Sequence, residues 1–328
     1  MTIDNAKLRR FIQDHFSIGD LETLMADYFP PLLDDIPPET PKNKRILRLI
    51  EYCGHRGKMP DLLVILERER PTLFNSADYT AAPTVLPEKN LGRSPEPDSS
   101  FHHPITGKEM VRVPAGPFIY QDGEWAIHLD EFWIDKTPVT HADYKRFIDA
   151  NPEHEVPFVD GDWAKPYNWS KQLRTFRQEL ADHPVVLVSW HDAQAYAQWA
   201  ECDLPTEQQW EKAARGTNGR QYPWGEWQEN HGNTAEAGIG KTTPVGLFSP
   251  QGDSPYGCVD MSGNVWEWTD SLYREGENYR VLRGGSWSLN QSLARAASRY
   301  SYYPGFRFLD FGFRVAVRRP PSHRATDH

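Results

Sequence analysis

A stretch without hydrophobic periodicity, residues 76–105, divides this chain of 328 residues into two regions of different pattern. The stretch is rich in Pro, Ser and Ala, which is typical of a flexible linker. Residues 1–75 carry apolar side chains at helical spacing, whereas residues 106–318 carry short apolar runs separated by turn residues. The sequence therefore predicts two tethered modules, followed by a tail at 319–328.

The first module is expected to be a small all-α bundle. Ser17 is placed to cap a helix that contains Leu21 and Leu24, and a later helical stretch puts Ile46 and Leu49 on one face. These faces can bury each other only by packing together, so the pattern predicts a compact helical unit.

The second module is expected to be an α+β domain with irregular connections. Two helices are predicted, one beginning at Ser189 and one at Thr206, where Thr206 and Gln209 form a capping box and Gly216 ends the helix. The rest is loop-rich, and the chain contains 12 Trp, whose large side chains supply packing area that regular structure does not.

Composition excludes several partners and locations. The net charge of −10 disfavours binding to nucleic acid through phosphate contacts, and no apolar run is long enough for a membrane span or a signal peptide. The three cysteines, Cys53, Cys202 and Cys258, are far apart and odd in number, which suits packed thiols in a reducing compartment. We therefore expect a cytoplasmic protein.

Motifs for catalysis are absent or incomplete. The stretch GIGKTT at 238–243 lacks the first glycine of a phosphate loop, because Ala235 stands there, and Pro244 blocks the helix that should follow. The histidines are scattered without HExxH spacing, and there is no CxxC motif and no G-x-S-x-G elbow. A Ser-His-Asp triad assembled by the fold stays open, but no catalytic residue is predicted.

Five ordered motifs carry a family resemblance. They are DLPTEQQWEKAARG at 203–216, YPWG at 222–225, DMSGNVWEWTDS at 260–271, RVLRGGSW at 280–287 and GFRV at 312–315. Together they resemble the formylglycine-generating-enzyme (sulfatase-modifying factor) family, whose fold is a variant of the C-type lectin fold. The resemblance covers about residues 106–318 and implies that fold.

The same resemblance argues against the family's chemistry. Its oxidases hold copper with two cysteines between the RGGSW and GFR phrases, and residues 288–311 contain no cysteine. Ergothioneine-type relatives need a His-rich iron site, partly from an added N-terminal domain, and residues 1–75 show no such cluster. We expect a protein that is not an enzyme and requires no cofactor. A formylglycine-generating-type oxidase, or another enzyme of the same fold, is the alternative.

Residues 280–315 also resemble the C-terminal phrase of the variable proteins of diversity-generating retroelements. Such elements mutate adenines, so an AAY codon can never come to encode Lys, Glu, Gln, Trp or Met, and none of these five occurs at the matching positions. The resemblance implies a variable, ligand-binding set: Ser288, Leu289, Asn290, Ser292, Leu293, Ser298, Tyr300, Ser301, Tyr302, Tyr303, Phe306, Phe308, Leu309 and Asp310.

The chemistry of this set suits a binding face. Tyr and Phe offer large contact area with few rotatable bonds, and Ser and Asn adapt their hydrogen bonds, as in antibody paratopes. The alternative is that the aromatic residues are core. Between them, Arg295, Arg299 and Arg307 are expected to hold the scaffold through salt bridges or carbonyl contacts. Gly284 and Gly285 suit a tight backbone path, and Trp287 suits core packing.

A calcium site is implied by the family's GN-x-WEW phrase, where the enzymes bind calcium through two side chains and two carbonyls. The matching positions are Asp260, Gly263, Val265 and Glu267, and hard oxygen ligands suit this ion. The alternative is that Asn264 and Glu267 only brace loops by hydrogen bonds.

About residues 5–71 resemble the effector-associated domains of bacterial conflict systems, which have a death-domain-like helical fold. The resemblance lies in the pattern of FIQDHFSIGDLETLMADYF and RILRLIEYCGHRGKMPDLLVILERERP. It implies pairing with a like domain on an effector, typically a protease or an NTPase. A plain oligomerisation or solubility domain is the alternative.

These observations predict a recognition protein whose C-terminal face binds a ligand, most simply a protein, and whose N-terminal module engages an effector. A non-diversified lectin or structural module is a further alternative.

Overall fold

The computed structural model describes residues 2–3, 5–34, 36–55, 58–70, 73–74, 80–81, 100–121, 126–274 and 276–319. They divide into two compact units, one formed by the N-terminal helices and one by most of the chain from Ser100 onward.

The N-terminal unit is a helical bundle, as predicted. Its helices are α1 (Asn5–His15), α2 (Ile18–Tyr28), α3 (Pro30–Asp34), α4 (Lys42–His55) and α5 (Met59–Glu69), with a short antiparallel pair of strands, β1 (Thr2–Ile3) and β2 (Thr80–Ala81). Ser17 caps α2, since its hydroxyl accepts the Asp20 N–H at 3.1 Å while the Asp20 carboxylate accepts the Ser17 N–H at 2.8 Å. A buried apolar cluster joins the helices through Ile12, Leu21 and Ile46.

The C-terminal unit mixes strands and helices. Its strands are β3 (Ser100–His102), β4 (Glu109–Val113), β5 (Gly116–Ile119), β6 (Ala126–Leu129), β7 (Phe132–Asp135), β8 (Trp266–Leu272), β9 (Arg280–Arg283), β10 (Arg299–Tyr302), β11 (Phe311–Phe313) and β12 (Ala316–Val317). Its helices are α6 (His141–Ala150), α7 (Trp190–Trp199) and α8 (Glu207–Arg215). The predicted capping box forms at Thr206 with Gln209, and the helix that was predicted to begin at Ser189 has a second capping box, between Ser189 and Asp192.

The predicted linker is too long at both ends. Ser100–His102 form β3, which pairs with β4, because Phe101 packs against the core beside Trp133. Thr80–Ala81 pair with β1 of the N-terminal unit. Residues 82–99 lie outside the described part of the chain, as does the tail beyond residue 319.

One four-stranded sheet carries the segment 280–315. The strand order is β10-β9-β8-β11, in which β11 is parallel to β8 and the other pairs are antiparallel. The segment therefore enters the sheet beside β8, turns back along β10, and crosses to the opposite side of β8. A second sheet, β12-β7-β4-β3, and the hairpin β5-β6 complete the unit.

Aromatic side chains fill the core behind this sheet. Tyr144 and Tyr196 stack at 5.8 Å between ring centroids, and Phe313 from β11 packs edge-on against both. Trp268 on β8 is fully buried and donates its indole N–H to the Val188 carbonyl at 3.1 Å. This packing gives the segment 280–315 a rigid support. Among the described residues, no helix combines the length and apolar character needed to cross a bilayer.

Candidate ligand-binding face

The residues between β9 and β11 cover one surface of the sheet, and their exposure differs by position. The exposed members of the predicted variable set are Ser288, Asn290, Ser292, Leu293, Tyr300 and Tyr303. Those that are partly buried are Leu289, Ser301, Tyr302, Phe306, Phe308 and Leu309. The remaining two, Ser298 and Asp310, are buried.

The aromatic residues form a connected series of rings rather than a loose cluster. Tyr300 stacks on the buried Trp266 with ring centroids 5.5 Å apart, and Tyr302 stacks on Phe306 at 4.1 Å. Phe306 continues to Phe308 at 5.9 Å. Each of these rings therefore packs against other protein rings and leaves part of its surface accessible to a ligand. The core alternative holds in part for Tyr302, Phe306 and Phe308, which pack against the main core.

The buried members, Ser298 and Asp310, correct the expectation that the whole set can reach a ligand. Asp310 accepts hydrogen bonds from the hydroxyls of Ser286 at 2.6 Å and Ser288 at 3.0 Å, and burial raises the pKa of its carboxyl. Ser298 donates its hydroxyl to the Ser292 carbonyl at 3.1 Å. Both side chains support the loops from the buried side, through the Ser298 hydroxyl and through Oδ2 of Asp310.

The arginines between the variable positions are structural, as predicted. Arg299 makes a bidentate ion pair with Glu207 at 2.6 and 2.9 Å, and Arg307 makes one with Asp192 at 2.9 Å through both nitrogens. Because both carboxylates lie in the first turn of a helix, α8 or α7, these pairs fasten the segment to regular structure. Arg295 donates to the Ser292 carbonyl at 3.1 Å.

Arg283 has a role that the sequence reasoning missed. It is fully buried, and its Nη2 lies 2.5 Å from Oε2 of Glu211 on α8. Its Nη1 donates to the carbonyls of Ala296 at 3.3 Å and Ser298 at 3.0 Å. Arg283 therefore links α8 to the backbone on which Tyr300 is mounted. The signal in the sequence is an arginine at the end of an apolar strand, which requires a buried acidic partner.

The two glycines after Arg283 take the tight path that was predicted. Both have positive φ, +98° at Gly284 and +74° at Gly285, and a Cβ at Gly285 would stand 2.7 Å from the Ala294 Cα. Trp287 departs from the prediction. It is only partly buried, so it is not a core residue.

The positions proposed for calcium do not fit that ion. Oε2 of Glu267 accepts hydrogen bonds from the Trp210 indole N–H and from Arg314 Nε, both at 2.7 Å, and Oε1 accepts Arg314 Nη2 at 2.8 Å. The Arg314 guanidinium offsets the charge of the Glu267 carboxylate. Three lone pairs of that carboxylate are already used by these hydrogen bonds. Asp260 accepts the Gly246 N–H at 2.9 Å, and burial raises its pKa to about 6. The geometry favours the bracing alternative.

Asn264 supports the same conclusion. Its side chain bridges to Thr243, accepting the N–H at 3.0 Å and donating to the carbonyl at 3.2 Å. Its backbone and that of Gly263 have positive φ, so the GN phrase forms a turn held by side-chain hydrogen bonds.

Calcium is therefore expected to leave the stability of the chain unchanged. A site filled at a hundred times its dissociation constant would add about 2.7 kcal/mol to the free energy of unfolding. We expect the same Tm in excess calcium and in excess EDTA, measured by scanning calorimetry, with magnesium as the control for ionic strength. A rise in Tm with calcium and not with magnesium would show that the chain has the family's calcium site after all.

The three thiols are poor nucleophiles. Cys53, Cys202 and Cys258 are buried, and burial raises the pKa of all three, that of Cys258 to about 11. The Sγ of Cys202 lies 3.5 Å from Nε2 of His103. Burial lowers the pKa of that imidazole, so it is a poor source of the positive charge that would stabilise a thiolate. Thiolate chemistry at neutral pH is therefore unfavourable at each site.

Comparison with known proteins agrees with the resemblances to the formylglycine-generating-enzyme family and to the effector-associated domains. Residues 96–319 match the family described as sulfatase-modifying factor enzyme 1-like domain, and residues 8–71 match effector-associated domain 7. The inactive C-alpha-formylglycine-generating enzyme 2 of Bos taurus is 35% identical over 274 residues, covering 65% of this chain and 90% of the relative. The formylglycine-generating enzyme of Streptomyces coelicolor is 32% identical over 286 residues, with the same coverage.

A solved structure, Treponema denticola variable protein 1, shares the fold. Its TM-score is 0.51 at 21% identity, over 67% of this chain and 98% of that one. At this identity the likeness concerns the fold alone. Both enzymes and inactive proteins are among the relatives, so these matches do not determine whether this chain is an enzyme. With its five motifs in order and its sheet built around them, the chain belongs to the family of sulfatase-modifying factor enzyme 1-like domains, with their C-type lectin-like fold.

Proposed function

We propose that the chain is a ligand-recognition protein whose diversified face is the surface between β9 and β11. The observation that carries the proposal is the contrast within this segment. Tyr300 and Tyr303 are exposed, whereas Arg299 and Arg307 hold the backbone through ion pairs with helices outside it. Side chains at the surface can then change while the support stays the same, which is what a diversified binding site requires.

The fold of a Treponema variable protein supports this proposal, because it is an example of the same fold in a protein that is named for its variability. The ligand is proposed to be a protein. The largest side chains of the face are aromatic, and Arg299 and Arg307 are neutralised by Glu207 and Asp192. The face therefore suits burial of apolar protein surface better than binding of a charged small molecule.

The N-terminal unit is proposed to pass recognition to an effector, a protease or an NTPase that carries a like domain. The match to effector-associated domain 7 supports this partner. The arrangement also implies a protein without enzymatic activity that works in the cytoplasm. The buried thiols with raised pKa support the first point, and their number and spacing support the second.

Affinity capture tests the proposal. The full chain, a Tyr300→Ser/Tyr303→Ser variant and a Leu247→Ser control would be used to capture proteins from cells in which the chain occurs. Leu247 is 56% exposed and lies outside the segment. We expect a small set of proteins to be retained by the chain and the control and lost from the double variant. A purified member of the set should then bind with the same ranking in calorimetry.

Equal retention by all three proteins would contradict the proposal. So would turnover of a cysteine-containing sulfatase peptide by the purified chain, because that result would establish the oxidase alternative. Circular dichroism of the double variant separates a lost ligand contact from a lost fold.

A further inference from the structure

We infer that Trp163, which lies outside the variable segment, is a fixed contact of the same binding face. The inference rests on the proposed function and adds to it an anchor that diversification cannot change. Among the described residues, the large aromatic side chains that stay exposed are Trp163, Tyr300 and Tyr303, at 42%, 45% and 54%. Two of the three belong to the variable set, and the third adjoins it.

Trp163 extends the series of aromatic rings. Its indole lies 5.1 Å from the Phe308 ring, measured between centroids, with the planes tilted by 40°. Phe308 in turn packs against Phe306, and Phe306 stacks on Tyr302. A ligand that covers Tyr302 and Phe308 therefore lies next to the indole.

The indole is held in place before any ligand arrives. The turn Asp162–Ala164 is fixed by Ala164, which is fully buried in a small cluster with Leu187 against which Leu309 packs. Phe308 is fixed from the same direction, because its carbonyl accepts the Leu187 N–H at 3.0 Å. The anchor and the variable segment thus share one support.

Gly161 leaves the space that the indole occupies. A Cβ at this position would stand 2.8 Å from the indole Nε1. The ring therefore lies over bare backbone on one side and beside Phe308 on the other. Ordering such a ring costs little on binding, which is the property of aromatic anchors at protein interfaces.

The expected ligand surface follows from this chemistry. Trp163 offers a broad apolar face and an indole N–H donor, and the nearby cations are paired, Arg307 with Asp192 and Lys165 with Asp162. This combination suits a folded protein that presents an apolar side chain beside a hydrogen-bond acceptor.

A display experiment tests the inference without the natural ligand. The full chain is randomised at Ser288, Asn290, Ser292, Tyr300 and Tyr303, and binders are selected against hen lysozyme as the probe. Each binder is then remade with Trp163→Ala, with Trp163→Phe and with Leu247→Ala as the matched exposed control. Dissociation constants and circular dichroism are measured for all four proteins.

We expect Trp163→Ala to weaken most binders at least about tenfold, Trp163→Phe to recover part of that loss, and Leu247→Ala to have no effect. Unchanged affinity after Trp163→Ala in folded binders would overturn the inference and leave the proposed function standing. If the library yields no binder at all, the recognition function fails, and the inference fails with it.

Discussion

Replacing Arg283 with alanine is expected to lower the free energy of unfolding of the C-terminal unit by about 3–5 kcal/mol, the usual cost of removing one partner from a buried ion pair. The guanidinium is fully buried between Glu211 and the carbonyls of Ala296 and Ser298. Without it, Glu211 keeps Arg215 but loses the partner of Oε2, and two carbonyls lose a donor. The measurement is urea unfolding followed by tryptophan fluorescence.

Arg112→Ala is the matched control. Its ion pair with Glu131 is equally short, at 2.5 Å, but both side chains are substantially exposed, at 40% and 33%. We expect its removal to cost less than about 1 kcal/mol. If the two variants unfold at the same urea concentration, Arg283 is not the link between α8 and the variable segment that the geometry describes.

Tyr302→Ala is expected to cost about 2–3 kcal/mol of unfolding free energy, somewhat less than a fully buried aromatic residue. The ring stacks on Phe306 at 4.1 Å and contacts the buried Phe311 at 5.8 Å, so its loss leaves a gap above the core. Tyr303→Ala, one residue later, removes a ring that is 54% exposed and is expected to change stability by about 0.5 kcal/mol or less.

This pair decides between a binding surface and a core segment. If Tyr303→Ala is as damaging as Tyr302→Ala, the aromatic residues are core, and the alternative left open by the sequence is correct. If Tyr302→Ala lowers the free energy of unfolding much more than Tyr303→Ala does, the exposed positions are free to vary. Substitution of Tyr302 is then limited by the small net stability of the domain.

Much of this architecture was readable from the sequence because local rules determined it. The helix start at Ser189 and the capping box at Thr206 placed two helices, and the five motifs implied the fold. The arginines at 299 and 307 were interpreted correctly, since a cation spaced between variable positions has to be paired if the support is to stay fixed.

Other features depended on contacts between distant residues. The burial of Asp310 follows from the hydroxyls of Ser286 and Ser288, which the chain brings together across a long loop. The positions implied for calcium do not fit the ion because Arg314, in the last of the five motifs, forms an ion pair with Glu267. Trp163 adjoins Phe308 only because the fold brings them together.

The DNA beside the gene gives the most direct test of the claim that this face is diversified. We predict a near-copy of codons 280–315 that differs almost only at adenines, next to a reverse transcriptase gene. The differences should fall at exposed positions such as Tyr300 and Tyr303 and spare Arg283, Arg299 and Arg307. A locus with neither a repeat nor a reverse transcriptase, or a repeat that differs equally at all four bases, would contradict the claim.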